Sequence, residues 1–305
     1  AREVGAGRLG QWLAALFFAT LPMAYLEASS AKNDLWVAVW LGVLTWLALR
    51  SRERRSAGDW AALGAALGLS LATKTTAWIF VIPVLILLVR RSWRSARGWL
   101  ILAVVAAGLA GPHGMRNQWW FGTPLGVHRA EDGGAQGNED FSWGGVVSNA
   151  VRGATLHLAT PSPVVNDGLK SVVLELHRAL GRDAQDPRTT LLAIPYEIAW
   201  RPRNEATAGA PFLALVGGAA LLGWLWRGRR GGVSLVLPAL VLGGMVLTCV
   251  LLKWQPWGAR LHLPIFILLA ALAAVQVERA AVWVGMVAGV LTLVALTPSL
   301  EPDIR

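Results

Sequence analysis

Polar side chains that could do chemistry gather in short stretches of an otherwise apolar chain. The first stretch, EASSAKND at residues 27–34, places two carboxylates, Glu27 and Asp34, on either side of Lys32. A carboxylate can act as a general base on a hydroxyl group, and an ammonium group can stabilise a departing phosphate. This stretch therefore favours group transfer, although an aspartate before the apolar run LWVAVW also suits a helix N-cap.

Four further stretches supply mainly cations and amides. They are ATKTT (72–76), PHGMRNQWWFGTPLG (112–126), RPRNEATAG (201–209) and KWQPWGARLH (253–262). Cations beside carboxylates form the kind of pocket that binds phosphate or pyrophosphate. The candidate catalytic residues are Glu27, Asp34 and Glu205, and the candidate substrate- or phosphate-binding residues are Lys32, Lys74, Arg116, Asn117, Arg260 and His262. Taken singly, Glu205 also suits a solvated helix start, and a lone arginine suits a lipid headgroup.

The composition indicates that membrane-spanning helices position these residues. Of 305 residues, 55% are hydrophobic and 15% charged, the mean hydropathy is +0.49, and there are 17 tryptophans. Long apolar runs flanked by tryptophan are typical of spans that end at a membrane interface. The predicted fold is an all-α polytopic membrane protein with about nine spans and one large, partly helical outer loop. The apolar segments are 9–26, 34–49, 60–73, 76–90, 98–112, 209–226, 233–252, 263–277 and 280–297.

The arginines predict the orientation, because short cytoplasmic loops are enriched in Lys and Arg. A cytoplasmic amino terminus places fourteen basic residues on the short inner loops and four on the short outer ones. The four are Lys32, Lys74, Lys253 and Arg260. The net charge of +10 is then explained by orientation in a membrane, and nucleic acid is not an expected partner. All five polar stretches fall on the outer side, where we expect the functional site.

Three regions follow from this topology: residues 1–112 with five spans, 113–208 as the large outer loop, and 209–305 with four spans. In the loop, Ser162 and Pro163 predict a helix start and Gly181 its end, with an apolar face at helical spacing. Such a helix could lie on the membrane surface or cap a cavity. GGVVSNAVRGATLHLAT predicts a shorter helix before it, and the Gly-rich, charged run 128–140 predicts a loop.

The sequence argues against several other kinds of site. The five histidines show no HExxH or comparable spacing, so a divalent metal ion is left open but is not indicated. His177, on the helix predicted in the loop, is expected to be structural. A lone cysteine, Cys249, excludes an intramolecular disulfide. A Walker A loop, a GxGxxG opening a helix after a strand, and a GxSxG motif are all absent from the sequence.

The succession LPMAYLEASSAKNDL, GLSLATKTTAWIFVIPVLILL, GPHGMRNQWWFGTPLG and WQPWGARLHLPIFILLAA resembles the GT-C membrane glycosyltransferases. The similarity runs over about residues 10–275 and is greatest to bacterial members related to protein mannosyltransferases and aminoarabinose transferases. It implies a polyprenyl-phosphate-linked sugar donor, a lipid, glycan or protein acceptor, and a site on the outer face of the plasma membrane. It also implies that Lys32 and Asp34 border the active site, that Lys74, Arg116 and Arg260 face the donor phosphate, and that Glu205 matches an acidic residue after the large loop.

In one respect the motifs depart from the family pattern. The family's main catalytic aspartate follows the first span, and the order of the motifs here places that loop before residue 1. A truncated chain, or one without the catalytic base, is therefore expected, with Asp34 in a supporting role. Two other functions stay open: a transporter or flippase for an anionic lipid-linked substrate, and an inactive membrane scaffold. Because the ionisable groups gather at one face and not at the middle of the spans, a transporter is disfavoured.

Overall fold

A computed structural model of the chain describes residues 1–50, 55–126, 136–204, 207–229 and 235–279. These residues contain α-helices and short 3₁₀ turns, with two isolated β-bridges and no β-strand. The all-helical fold predicted from the sequence is confirmed for this part of the chain. The helices are α1 (Arg8–Ala19), α2 (Pro22–Ala28), α3 (Asp34–Leu49), α4 (Ala57–Thr73), α5 (Ala77–Ser92), α6 (Ala96–Phe121), α7 (Trp143–Thr155), α8 (Pro163–Ala179), α9 (Pro211–Arg229), α10 (Val236–Leu251) and α11 (Leu263–Arg279).

The chain divides into two compact units, which are described separately. The four-helix unit comprises Asn33–Arg129 and contains α3 to α6. The long unit comprises Ala1–Lys32 and Ala130–Arg305 and contains the other seven helices.

In the four-helix unit, α4 packs along α6 through two glycines spaced four residues apart. A Cβ atom on Gly64 would lie 2.6 Å from the carbonyl oxygen of Leu102, and one on Gly68 would lie 2.9 Å from that of Ala106. Only glycine allows so close an approach, which is the way small residues join helices in membranes. The two backbones are therefore in direct contact along this seam.

The helices of this unit alternate in direction, so that its two ends differ in chemistry. At one end, Arg91 donates to the carbonyl oxygen of Ala48 at 3.1 Å, and Arg55 donates to that of Leu47 at 2.8 Å. The polar turns at residues 33–34, 74–76 and 122–126 lie at the other end. The arginines that bind these helix-end carbonyls thus lie at the end of the unit opposite the polar turns.

In the long unit, the first apolar segment is not one straight helix. Predicted as a span over 9–26, it forms α1 and α2 with a bend of 69° between them. Pro22, at the first position of α2, has no N–H to continue the α1 ladder, so the helix breaks there. At the other end of α1, Glu278 of α11 accepts hydrogen bonds from the N–H groups of Gly7 and Gly10. A carboxylate at a helix N-terminus is stabilising, and it fixes α1 to α11.

The loop helices α7 and α8 are held to the end of α10 by a buried arginine. Arg152 is fully buried and donates to the Ala184 carbonyl at 2.5 Å, to Thr190 Oγ1 at 2.6 Å and to Asn149 Oδ1 at 2.7 Å. Asn149 in turn donates to the carbonyl oxygen of Cys249 in α10 at 2.9 Å. The large loop is therefore a folded layer with its own polar core.

Two helical stretches in the described residues are long and apolar enough to cross a membrane by themselves. They are Ala96–Phe121 and Gly258–Arg279, and the bent pair α1–α2 is a third if it counts as one span. Three shorter apolar helices, Asp34–Leu49, Pro211–Arg227 and Val236–Leu251, fall below the length of a perpendicular span. The expected number of nine spans is not confirmed, and the segment predicted at 280–297 lies outside the described residues.

Candidate functional site

An ion pair lies at the polar end of the four-helix unit. Lys74 Nζ is 2.5 Å from Asp34 Oδ1, with the carboxylate side chain 4% exposed and the lysine side chain 25% exposed. Asp34 is the first residue of α3 and Lys74 follows the last residue of α4. The pair therefore joins two helix ends that are 40 residues apart in the sequence, and its ammonium side remains open to solvent.

Hydrogen bonds between neighbouring turns hold this ion pair in place. Asn33 donates from Nδ2 to the carbonyl oxygen of Thr73 at 2.7 Å, and Thr75 Oγ1 donates to that of Leu125 at 3.0 Å. Asn33, not Asp34, occupies the N-cap position of α3, and no side-chain cap bond forms there. The N-cap interpretation of Asp34 is therefore wrong, because Asp34 is the first residue inside the helix, where its carboxylate contacts Lys74.

Arg116 and Asn117 lie at the end of α6 in the same unit. The Asn117 side chain is buried, and its Nδ2 lies 3.2 Å from His113 Nε2 and 3.3 Å from the carbonyl oxygen of Pro124, to which it donates. Arg116 Nη2 lies 3.2 Å from His113 Nδ1 and is on the exposed side of the helix. In this structure Asn117 fixes the turn after α6, whereas the Arg116 guanidinium is accessible to a ligand.

In the long unit, a second polar cluster forms where α2 packs against the 3₁₀ turn Gly258–His262. Glu27, on α2, is buried, and the turn carries Arg260 and His262. His262 Nδ1 lies 2.8 Å from Nε2 of His157, so one imidazole donates to the other. Burial and the neighbouring His262 hold the pKa of His157 well below its ordinary value, so His157 is neutral at physiological pH.

His262 also lines a small cavity of about 30 Å³ in the long unit, together with Lys253 and Gln255. Lys253 forms an ion pair with Glu139 at 2.6 Å, and Gln255 is buried. A cavity of this size, with an amide, an imidazole and an ammonium group on its wall, has room for ordered water.

Residues 7–115 match the dolichyl-phosphate-mannose-protein mannosyltransferase family. The match covers about a third of the chain and supports the GT-C superfamily and, with it, a membrane glycosyltransferase. Searches of curated proteins and of solved structures returned no match.

The segment that matches the mannosyltransferase family contains the predicted residues Glu27, Lys32, Asp34 and Lys74. Of these, the structure brings Asp34 and Lys74 into contact within the four-helix unit. Arg260 and His262 share one turn in the long unit, and Glu205 lies outside the described residues.

Two features of the polar clusters were not predicted from the sequence. The first is the contact between His157 and His262, which lie 105 residues apart in the sequence. The second is the buried Arg152, which organises the large loop from within an ordinary helical stretch. His177 is buried, with Nε2 lying 2.8 Å from Ser148 Oγ and Nδ1 lying 2.7 Å from the Val173 carbonyl oxygen, which fits a structural role. Among the described residues, no group of three His, Cys, Asp or Glu side chains could hold a metal ion.

Proposed function

We propose that the protein is a GT-C-type glycosyltransferase that moves a sugar from a polyprenyl-phosphate donor to an acceptor on the outer face of the membrane. The observation that carries this proposal is the mannosyltransferase-family match over residues 7–115, which contains the Asp34–Lys74 ion pair. Ionisable groups buried within membrane spans are costly and are usually paired or functional, and the Asp34 carboxylate is buried.

In the proposed mechanism, the acceptor hydroxyl or amine attacks the anomeric carbon while the bond from that carbon to the phosphate oxygen breaks. The acceptor gives its proton to a carboxylate, and the phosphate leaves with the bonding electrons. Lys74 stabilises the negative charge on the departing phosphate, and Asp34 orients the ammonium group. We assign a donor contact also to the exposed guanidinium group of Arg116 in the same unit, whereas Asn117 positions the turn after α6. Lys32, Arg260, His262, Glu27 and Glu205 stay predicted site residues.

The proposed topology places the amino terminus of this chain in the bacterial cytoplasm and the polar clusters on the outside. It retains about nine spans in three regions, 1–112, 113–208 and 209–305. The separation of the basic end from the polar end within the four-helix unit supports this arrangement, because the positive-inside rule assigns the arginine end to the cytoplasm.

The test is sugar transfer by the full-length protein in proteoliposomes with radiolabelled polyprenyl-phosphate sugars. Product is extracted and counted after incubation with membrane lipids, glycans and peptides as acceptors. We expect transfer by the wild type and a loss of roughly 100-fold or more in Lys74→Met, since removing a charge-stabilising group costs on that order. Arg188→Met, which breaks the exposed ion pair to Asp186, is the control and should retain full transfer.

Three results would count against the proposal. The first is the absence of both transfer and donor binding across the polyprenyl-phosphate sugars tested. The second is full transfer in a variant that combines Asp34→Ala, Lys74→Ala and Arg260→Ala, which would show that these residues do not form the catalytic site. The third is movement of the lipid-linked sugar across the vesicle membrane without transfer, which indicates a flippase.

A further inference from the structure

Helix α8 presents an apolar stripe to open space. Val165, Val172, Leu176 and Leu180 follow one another at helical spacing and are 48%, 64%, 38% and 43% exposed. Gly168, on the same side of the helix, has nothing within 4 Å of where a Cβ would be. The stripe is therefore not covered by the folded part of the chain that the structure describes.

The rest of α8 shows that this stripe is separate from the face that packs on the loop core. The buried face carries Asn166, Val173 and His177. A third, charged face is exposed and carries Asp167, Ser171, Glu175 and Arg178. A helix with a core face, a charged face and an additional apolar face has more apolar surface than its own fold requires.

Aromatic side chains extend the stripe at one end. Phe141 and Trp143, at the start of α7, are 65% and 80% exposed. Arg182, just after α8, forms a salt bridge with Asp140 and donates to Ser142 Oγ at 2.6 Å. These contacts bring the segment that carries the two aromatic residues close to the end of α8, and we call the stripe and the two aromatic residues together the α8 surface.

The α8 surface lies close to the end of an apolar helix. Asn138 donates from Nδ2 to the carbonyl oxygens of Cys249 and Val250 at 3.3 and 3.1 Å. This fixes the segment before Phe141 to the last turn of α10, where Leu251 is itself 38% exposed. Indole rings such as that of Trp143 concentrate where an apolar helix leaves the hydrocarbon layer of the membrane.

We propose that the α8 surface rests in the headgroup region of the same bilayer that the spans cross, with α8 parallel to the membrane plane. Its apolar stripe and the two aromatic rings enter the boundary between headgroups and acyl chains, and its charged face remains in water. In-plane amphipathic helices bury their apolar face ~5–10 Å into this boundary. The loop layer is then anchored to the membrane at a point separate from the polar clusters.

The test compares two adjacent positions on α8 in reconstituted vesicles of phosphatidylethanolamine and phosphatidylglycerol. Single cysteines replace Val172 on the stripe and Ser171 on the charged face, in a Cys249→Ala background, and each carries a nitroxide. We expect oxygen, which is enriched in lipid, to relax the label at position 172 more strongly than a water-soluble nickel chelate does. The order should be reversed at position 171.

A second measurement avoids the cysteine background. Vesicles with brominated acyl chains quench tryptophans that lie at the bilayer boundary. The quenchable part of the fluorescence should fall in Trp143→Phe relative to the wild type, and it should not fall in Trp254→Phe, whose ring is buried.

Any result other than these would overturn the proposal. Equal access of the nickel chelate to both labels would place the stripe in water. Protection of position 172 from both reagents, with disulfide cross-linking of Val172→Cys between protein molecules, would make a second copy the occupant. Neither measurement depends on sugar transfer, so their result is independent of the proposed catalytic function.

Discussion

Breaking the Asp34–Lys74 ion pair from one side should destabilise the protein. Coulomb's law gives the pair ~2 kcal/mol at 2.5 Å in bulk water and ~7 kcal/mol at an effective dielectric constant of ~20, before the cost of desolvation. The ammonium group keeps some water, since the lysine side chain is 25% exposed, whereas the carboxylate is nearly inaccessible. Lys74→Met should therefore cost about 2–3 kcal/mol, between an exposed pair at ~0–1 and a buried pair at ~3–5.

A double-mutant cycle separates the interaction from the side effects of each substitution. Lys74→Met removes the ammonium group beside a buried carboxylate, and Asp34→Asn in the same chain removes the carboxylate charge. We expect the double variant to be more stable than the sum of the single variants predicts, by about 1–2 kcal/mol. The assay is equilibrium unfolding in detergent micelles, followed by tryptophan fluorescence.

Arg188→Met is the matched control for this cycle. Its guanidinium lies 2.7 Å from Asp186, but the arginine side chain is 60% exposed, so the loss should stay below ~1 kcal/mol. The reasoning is refuted if Lys74→Met and Arg188→Met lose the same stability. Strict additivity of Lys74→Met and Asp34→Asn would refute it equally, because it would mean that the two groups do not interact.

Three further predictions concern other parts of the fold. Arg152→Met removes several buried hydrogen bonds and should destabilise the outer loop by about 3–5 kcal/mol, measured by its rate of limited proteolysis. Gly98→Ala would place a methyl group 2.1 Å from an indole ring of α4 and should cost ~1–3 kcal/mol in micelle unfolding, whereas Gly108→Ala on the same helix meets nothing within 4 Å and should cost nothing. Hydrogen bonds from Ser142 and an arginine partner lower the pKa of Asp140 to about 2, so its stabilisation is complete above pH ~4 and disappears as pH falls toward 2. Asp140→Asn should remove this pH dependence from the unfolding curve.

Sequence patterns predicted those elements whose boundaries carry a local chemical signal. The bounds of the apolar segment predicted at 34–49 agree with α3, because the apolar run begins and ends abruptly. Ser162 caps α8 by accepting from Val165 N–H, and Pro163 begins the helix, as the cap rule predicts. Where the signal depends on tertiary packing, prediction falls short: α6 runs through Pro112 to Phe121, nine residues past its predicted end at residue 112.

The sequence predicted which residue types form the candidate site and which end of the helices carries them. It did not predict which side chains form ion pairs. Because the helices alternate in direction, their order predicts that Asp34 and Lys74 lie at the same end of the unit. That the two form an ion pair depends on the rotation of α3 and α4 about their axes. Nothing in the sequence reports that rotation directly, since both helices are apolar on all sides.

The seam between α4 and α6 has a consequence for where the four-helix unit could open sideways. Two backbones that touch through Gly64 and Gly68 leave no compressible layer of side chains, so this helix pair is a stiff wall. Helix α5, by contrast, contains Pro83, whose missing N–H leaves one carbonyl of the helix without its usual donor and makes bending easy there. If the unit opens sideways toward lipid, we expect α5 to move and the glycine seam to stay closed, which makes α5 the hinge of the unit.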